Sequence, residues 1–162
     1  LQVLAPALRD AVVAGARERA ARRGAAERAR ERALFDRMLQ LERRFAAAGG
    51  LLMLGTDPTG DGHVVPGYGG LRAMQLLQRA GLPPEQVVKI ASLNGATYLG
   101  RQREIGSVEP GRRADLVLLR REGVASDADL WAMPRLRWVF KAGVAYDAAA
   151  LVRSVEGQAG LR

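Results

Sequence analysis

An aspartate in a glycine-rich loop is the residue of this sequence best suited to chemistry. Asp57 follows the apolar run Leu51–Leu54 and lies between Gly55 and Gly60, with a threonine on either side. A carboxylate in this position can bind a divalent metal or act as a general base. The same pattern also suits a turn, because Asp-Pro and neighbouring glycines favour turns. The local pattern therefore leaves a catalytic and a turn-forming interpretation of Asp57 open.

The cysteine and histidine content limits the other chemistry that the chain can perform. The sequence has no cysteine and a single histidine, His63. Disulfide frameworks, zinc fingers, thiolate nucleophiles and iron–sulfur sites are therefore excluded, and a site with two imidazoles cannot be built from this chain alone. His63 is a candidate ligand or proton carrier, although a lone histidine in a loop is more often a surface residue.

The elements before Asp57 have the order of an α/β unit. Residues 1–49 are rich in strong helix formers, and Gly49-Gly50 should end the helical region. Its second half carries one apolar stripe at helical spacing, formed by Leu34, Met38, Leu41 and Phe45. We expect this stripe to pack on a sheet and Leu51–Leu54 to be a strand buried on both faces. Sites in α/β folds form at the carboxyl ends of such strands, where Asp57 lies.

Downstream of Asp57, helices give way to strands near residue 104. Helices are predicted over about 71–80 and from Pro84 to about Leu93, and Asn94-Gly95 is interpreted as a helix end. The later pattern predicts strands over 114–119, 136–140 and 144–146, with a hairpin turn at 141–143. The alanine-rich tail after Asp147 is expected to form a helix and then fray.

The formal charge of +8 comes mainly from the N-terminal helical region. Of the 25 basic residues 23 are arginine, and residues 1–49 hold eleven arginines against six acidic residues. Specific nucleic-acid binding is disfavoured, because Phe35 and Phe45 are the only aromatic residues in this stretch and base stacking needs more. A nucleic-acid binder would instead show strongly salt-dependent affinity. No apolar run approaches the ~18–20 residues that cross a bilayer.

Several phrases occur in a fixed order over roughly residues 34–147. They are GGLLMLGTDPTG at 49–60, GYG at 67–69, AGLP at 80–83, ASLNGATYLG at 91–100, IGSVEPGRRADLV at 105–117 and VFKAGVAYD at 139–147. Together they resemble the amidohydrolase superfamily, and within it the imidazolonepropionase-like and Xaa-Pro dipeptidase-like members. The resemblance implies an α/β chain: the C-terminal part of a (β/α)8 TIM barrel followed by a small β module, a portion of a composite β-sandwich. On this basis residues 1–103 are the last units of an incomplete barrel, 104–147 the β module and 148–162 a tail.

The resemblance also implies a metal-dependent hydrolase that acts on carbon–nitrogen bonds of amides, lactams or peptide-like substrates. Asp57 matches the family aspartate that contacts the metal and moves a proton from metal-bound water to the leaving amine. The family's metal-binding histidines precede the matched segment, so His63 is not one of them. The divalent metal, by this resemblance zinc, is therefore expected in a full-length enzyme, and this chain alone is expected to be inactive. His63 and Tyr68 are candidate substrate contacts.

The expected partners follow from the same resemblance. They are a small-molecule or dipeptide-like substrate and the missing N-terminal barrel portion, with no specific nucleic acid and no membrane; a homo-oligomer is left open. An incomplete barrel should expose Leu51–Leu54 as an unpaired apolar edge. No signal sequence is seen, so a cytoplasmic protein is expected. The alternative function is a non-catalytic interaction or assembly module derived from a split or truncated amidohydrolase.

Overall fold

Six helices and one three-stranded sheet make up the part of the chain that the computed structural model describes, residues 2–57, 64–65, 67–121, 130–132 and 135–160. The helices are α1 (Pro6–Arg22), α2 (Ala25–Ala47), α3 (Tyr68–Arg79), α4 (Pro84–Ala91), α5 (Leu93–Tyr98) and α6 (Ala148–Ser154). The strands are β1 (Leu116–Leu119), β2 (Leu136–Lys141) and β3 (Val144–Asp147). No helix in these ranges is both long and apolar enough to cross a membrane.

The predicted packing of the long helix α2 is wrong. The four side chains of the predicted stripe are all exposed: Leu34 by 60%, Met38 by 54%, Leu41 by 67% and Phe45 by 50%. A neighbouring stripe is used instead, in which Leu39 is buried and Asp36 pairs with Arg79 of α3 at 2.7 Å. The Arg79 guanidinium also lies over the Phe35 ring, 5.7 Å from its centroid. The physical reason is that α2 contacts another helix, α3, rather than the sheet predicted to cover the stripe.

The core lies between α3, α4 and the extended segment that follows α2, residues 51–57. Its buried members are Leu77, Leu82, Val87, Ile90 and Trp131. Leu52 and Leu54 pack against this cluster from the extended segment. Val87 is fully buried, so the first turn of α4 is fixed at the centre of the cluster. α3, α4 and the segment therefore share one continuous apolar core.

The prediction that Leu51–Leu54 is a strand buried on both faces is also wrong. Exposure alternates along residues 51–57, as expected when successive side chains of an extended chain point to opposite sides. Leu52 and Leu54 are half-buried, whereas Leu51 and Met53 are 44% and 39% exposed. The segment joins no sheet within the described residues, because the sheet present there consists of β1, β2 and β3. An apolar face of the segment is thus uncovered in this part of the chain, as expected of an incomplete sheet.

The β module is an antiparallel sheet in the order β1-β2-β3, and its predicted hairpin is confirmed. Val139 of β2 lies opposite Val117 of β1 on one side and Tyr146 of β3 on the other. Both turn residues of the hairpin have positive φ, 49° at Ala142 and 84° at Gly143, as a type I′ turn requires. The sheet is therefore closed by a turn whose first residue is a non-glycine in the left-handed region.

An aspartate holds this strained turn. Asp115 accepts a hydrogen bond from the Ala142 backbone N–H at 2.7 Å, and Arg113 pairs with the same carboxylate. The hydrogen bond from Ala142, followed by the one from Arg113, lowers the pKa of Asp115 to about 2. Asp115 therefore links the start of β1 to the β2–β3 turn through a charge-assisted bond.

The C-terminal tail pairs with the beginning of the chain. The predicted tail helix is α6, and Asp147 caps it by accepting the Ala150 backbone N–H at 2.9 Å. Ala159 then forms a parallel bridge with Leu4, in which its N–H donates to Val3 at 2.8 Å and its carbonyl accepts from Ala5 at 2.9 Å. Residues 157–159 are thus held by backbone hydrogen bonds rather than frayed.

Candidate active site

The end of α2 sets the start of the segment that carries Asp57. Gly49 has a φ of 84°, and its N–H donates to Ala46 while the Gly50 N–H donates to Phe45. These two bonds form a Schellman cap, which uses a left-handed glycine to end a helix. The Phe45 ring covers Gly50 so closely that a Cβ there would lie 2.5 Å from ring atoms. The predicted helix end at Gly49-Gly50 is therefore confirmed, and it fixes the direction in which the segment leaves α2.

Two hydrogen bonds then attach the segment to the junction of α4 and α5. The side-chain amide of Asn94 donates to the Leu52 carbonyl at 2.6 Å. The Leu54 N–H donates to the Ile90 carbonyl, at the end of α4, at 3.3 Å. Because Leu52 and Leu54 also pack on the core, the segment is held through both its backbone and its side chains just before Asp57.

Asp57 has an unusual backbone conformation. Its φ is 36°, a left-handed value that is uncommon outside glycine and that aspartate tolerates better than most residues. The side chain is exposed, at the end of the clamped segment. Left-handed residues that the surrounding structure holds in place occur often at functional sites. The structure therefore places an accessible carboxylate at a defined position where the segment ends.

The start of α3 lies directly against this segment. Gly67, with a φ of 79°, precedes the helix, and a Cβ at Gly69 would lie 3.4 Å from the Cβ of Thr56. Thr56 is the residue before Asp57, so α3 begins beside the candidate carboxylate. Tyr68, at the first position of α3, buries its phenolic oxygen, and no described residue is its hydrogen-bond partner. Tyr68 thus lies on the element next to Asp57, whereas His63 lies outside the described residues.

The described residues do not form a metal site by themselves. No group of three or more histidine, cysteine, aspartate or glutamate side chains converges within them. Divalent metals in hydrolases take several such ligands. Asp57 can supply one carboxylate, so the residues described here do not fit a metal without ligands from elsewhere.

Asn94 is the residue of this region whose role the sequence pattern does not predict. The pattern marks it as a helix end, but it lies inside α5, and its buried side chain reaches a carbonyl 42 residues earlier in the chain. The available signal is an amide side chain among apolar residues of a short helix, between Leu93 and Ala96. Buried amides are nearly always hydrogen-bonded, so this position requires a partner that the sequence does not name.

Comparison with known proteins gives a consistent family. The model of the Amidohydrolase family matches residues 19–143. The chain is 37% identical over 67 residues to an adenine deaminase of Roseobacter denitrificans, covering 41% of this chain and 11% of that protein. It is 32% identical over 78 residues to an imidazolonepropionase of Shouchella clausii, covering 48% of this chain and 17% of that protein. The chain therefore spans only a small share of the curated relatives it matches.

A solved structure supports the same relationship. The chain is similar to the crystal structure of an amidohydrolase from Thermotoga maritima, with a TM-score of 0.51 and 26% sequence identity. The similarity covers 67% of this chain and 26% of that one. This supports the α/β class predicted from the sequence. The family model matches well over half of the residues of the present chain, which therefore belongs to the amidohydrolase family.

Proposed function

We propose that this chain is the C-terminal part of an enzyme that hydrolyses carbon–nitrogen bonds, with Asp57 as its proton-transfer residue. The observation that carries the proposal is the position of Asp57, left-handed and exposed at the end of a segment fixed by Asn94, Ile90 and the core. The family of the chain supports hydrolytic chemistry. The role of Asp57 follows from matching its motif to that family.

The proposed chemistry needs a single carboxylate to move one proton. The Asp57 carboxylate accepts a proton from water as the water oxygen bonds to the electrophilic carbon. The same proton then passes to the nitrogen as the carbon–nitrogen bond breaks, so that the carboxylate is regenerated and the amine leaves neutral. A divalent metal, by resemblance zinc, would supply electrophilic activation, and its ligands would come from residues other than those described here.

We propose a heterocyclic substrate, because named relatives of this chain are an adenine deaminase and an imidazolonepropionase. Hydrolytic removal of an amino group from a purine-like ring is the reaction that the first name describes. The sequence predicted a broader class of amides, lactams and peptide-like bonds, and substrates of that class are compared with heterocyclic ones in the test below. Tyr68 is the proposed substrate contact on α3, because its buried hydroxyl can donate or accept one hydrogen bond.

The proposal is tested by Asp57→Asn in the polypeptide expressed from the complete gene. Ammonia release from aminopurines is measured beside hydrolysis of a lactam and a dipeptide. General acid–base catalysis contributes roughly 10²–10⁴-fold, so kcat should fall by about that factor while the thermal midpoint stays unchanged. Asp10→Asn is the matched control, because Asp10 lies on α1 with a 77% exposed side chain. Turnover by Asp57→Asn at the level of Asp10→Asn would contradict the proposal.

The second candidate function is a non-catalytic assembly module. The observation that favours it is the number of exposed apolar side chains on α2 and the segment, namely Leu34, Met38, Leu41, Phe45, Leu51 and Met53. Exposed apolar patches of this kind commonly mark protein interfaces. We propose the N-terminal barrel portion of an amidohydrolase as the polypeptide that covers these side chains. A complete gene product that binds such a portion but turns over none of the three substrate types would favour the assembly module.

A further inference from the structure

Asn94 is the buried polar residue of the described part of the chain, and its side chain makes a defined long-range hydrogen bond. It is 9% exposed, whereas the other buried residues of these ranges are hydrophobic. Its Nδ2 donates to the Leu52 carbonyl at 2.6 Å, which links α5 to the segment that ends at Asp57. A buried amide loses its hydrogen bonds to water, so this bond must replace them. The contact therefore does more than end a helix.

The two bonds at the junction of α4 and α5 have the pattern of a neighbouring strand. In a parallel pair, one residue of the adjacent strand binds the carbonyl of one residue and the N–H of the residue two positions later. Here the Asn94 amide binds the Leu52 carbonyl, and the Ile90 carbonyl binds the Leu54 N–H. A side chain and a helix end thus take the place of a strand at this edge. The donor is the side chain, so a single substitution can remove it.

We propose that Asn94 is a positioning residue for Asp57. The Leu52 carbonyl lies five residues before Asp57, and the left-handed turn at Asp57 starts from the register that this bond sets. Removing the donor leaves the half-buried Leu52 carbonyl without this hydrogen bond, so the segment is no longer fixed to α5. A shift of about 1 Å in a reacting group can lower the rate roughly 100-fold. This inference rests on the proposed role of Asp57 in proton transfer.

The test uses Asn94→Leu in the polypeptide expressed from the complete gene. Leucine has a similar volume and no donor, so it removes the bond and keeps the side chain large. Thr97→Val is the matched control, because Thr97 lies on the same helix and donates to the Leu93 carbonyl at 2.8 Å, away from the segment. Asp147→Ala, which removes the cap of α6, supplies a variant destabilised at another place. Asn94→Ala serves where leucine does not fit the site.

The expected result is a loss of rate without a matching loss of binding. Per folded molecule, kcat of either Asn94 variant should fall about 10–100-fold while KM changes less than about threefold. Thr97→Val and Asp147→Ala should stay within about twofold of the parent kcat, even if Asp147→Ala lowers the thermal midpoint as much as the Asn94 variants do. The Leu54 amide should exchange its hydrogen faster in the Asn94 variants, because its segment is released.

The outcomes for Asp57 and for Asn94 are distinguishable. If Asp57→Asn keeps its turnover, the proposed function of Asp57 fails. If Asp57→Asn is inactive while a folded Asn94 variant matches Thr97→Val in kcat, the positioning role of Asn94 is overturned and the proton-transfer role stands. Unchanged exchange at Leu54 in both Asn94 variants would overturn the positioning role in the same way, without any measurement of activity.

Discussion

Two neighbouring glycines at the start of α3 test how closely this helix packs against the segment that carries Asp57. A Cβ at Gly69 would lie 2.7 Å from Cγ1 of Val64 and 3.4 Å from Cβ of Thr56. A Cβ at Gly70 would meet no atom within 4 Å. The same substitution, glycine to alanine, should therefore have opposite effects at adjacent positions of one helix.

The size of the difference follows from two opposing contributions. Alanine is favoured over glycine in a helix by roughly 0.5–1 kcal/mol, and this is the whole expected gain for Gly70→Ala. At Gly69 the 2.7 Å approach lies well inside the ~3.5–4.0 Å preferred between carbon atoms. The β-branched Val64 has a stiff side chain, so relief of this contact requires movement of the start of α3 or of the Val64 backbone. Such overpacking costs about 1–3 kcal/mol, which leaves Gly69→Ala less stable than Gly70→Ala by about 2 kcal/mol.

Urea unfolding measures this difference directly. For slopes of about 1–3 kcal/mol per molar urea, the two midpoints should separate by about 1 M, with Gly70→Ala the higher. Turnover should fall in Gly69→Ala alone, because relief of the contact with Val64 moves the start of α3, which lies against Thr56 beside the carboxylate. Equal midpoints, or a Gly69→Ala variant more stable than the parent, would refute the close packing of the start of α3 against Val64.

Two further predictions concern α2 and the hairpin. Leu39→Ala should lower the free energy of unfolding by about 2–5 kcal/mol, whereas Leu41→Ala should change it by less than about 0.5 kcal/mol, because Leu39 is buried and Leu41 is 67% exposed; equal urea midpoints would contradict the observed face of α2. The lowered pKa of Asp115, about 2, means that its carboxylate stabilises the fold above the unfolded pKa of about 4, and this stabilisation is lost as the pH falls toward 2. The thermal midpoint should therefore fall less steeply between pH 5 and 2 in Asp115→Asn than in the parent, and parallel curves would contradict the contact with Ala142.

Local chemistry allowed several elements to be predicted from the sequence. The end of α2 needs a residue with positive φ, and Gly49 supplies it at the predicted place. The hairpin between β2 and β3 is likewise a local feature, fixed by the left-handed pair Ala142 and Gly143. In both cases the residues that determine the structure are neighbours in the chain, so no knowledge of the tertiary packing was needed.

The wrong predictions for α2 and for Leu51–Leu54 depended on contacts between distant residues. On α2, Leu39 lies on the stripe that meets α3, whereas Met38 and Leu41 belong to the exposed stripe beside it. Both stripes carry apolar residues, and periodicity alone does not say which of them meets the core. The pair formed by Asp36 and Arg79, 43 residues apart, shows which stripe is used, and sequence spacing does not encode that choice.

The same reasoning explains why the sequence predicts the candidate residue, Asp57, but not the residues that fix its position. Asp57 stands out by its local pattern, because a polar residue after an apolar run marks the end of an extended segment. The groups that bind the segment come from the distant junction of α4 and α5, where Asn94 lies 42 residues after Leu52. They take the place of the neighbouring strand that the predicted sheet would have supplied. The Leu52 carbonyl and the Leu54 N–H can be hydrogen-bonded either by a neighbouring strand or by groups such as those of Asn94 and Ile90. The apolar run alone does not distinguish these two arrangements.

Under the proposed function, the residues that position the Asp57 carboxylate differ from those that select the substrate. The described residues fix Asp57 from one side, through the clamp at Leu52 and Leu54 and the helix start beside Thr56. The other side of the segment exposes Leu51 and Met53, so the groups that face a substrate there come from the polypeptide that covers this surface. Exchanging that covering polypeptide between amidohydrolases should therefore change which carbon–nitrogen bond is cleaved, measured as kcat/KM for each substrate type, while the dependence of the rate on Asp57 and Asn94 stays the same.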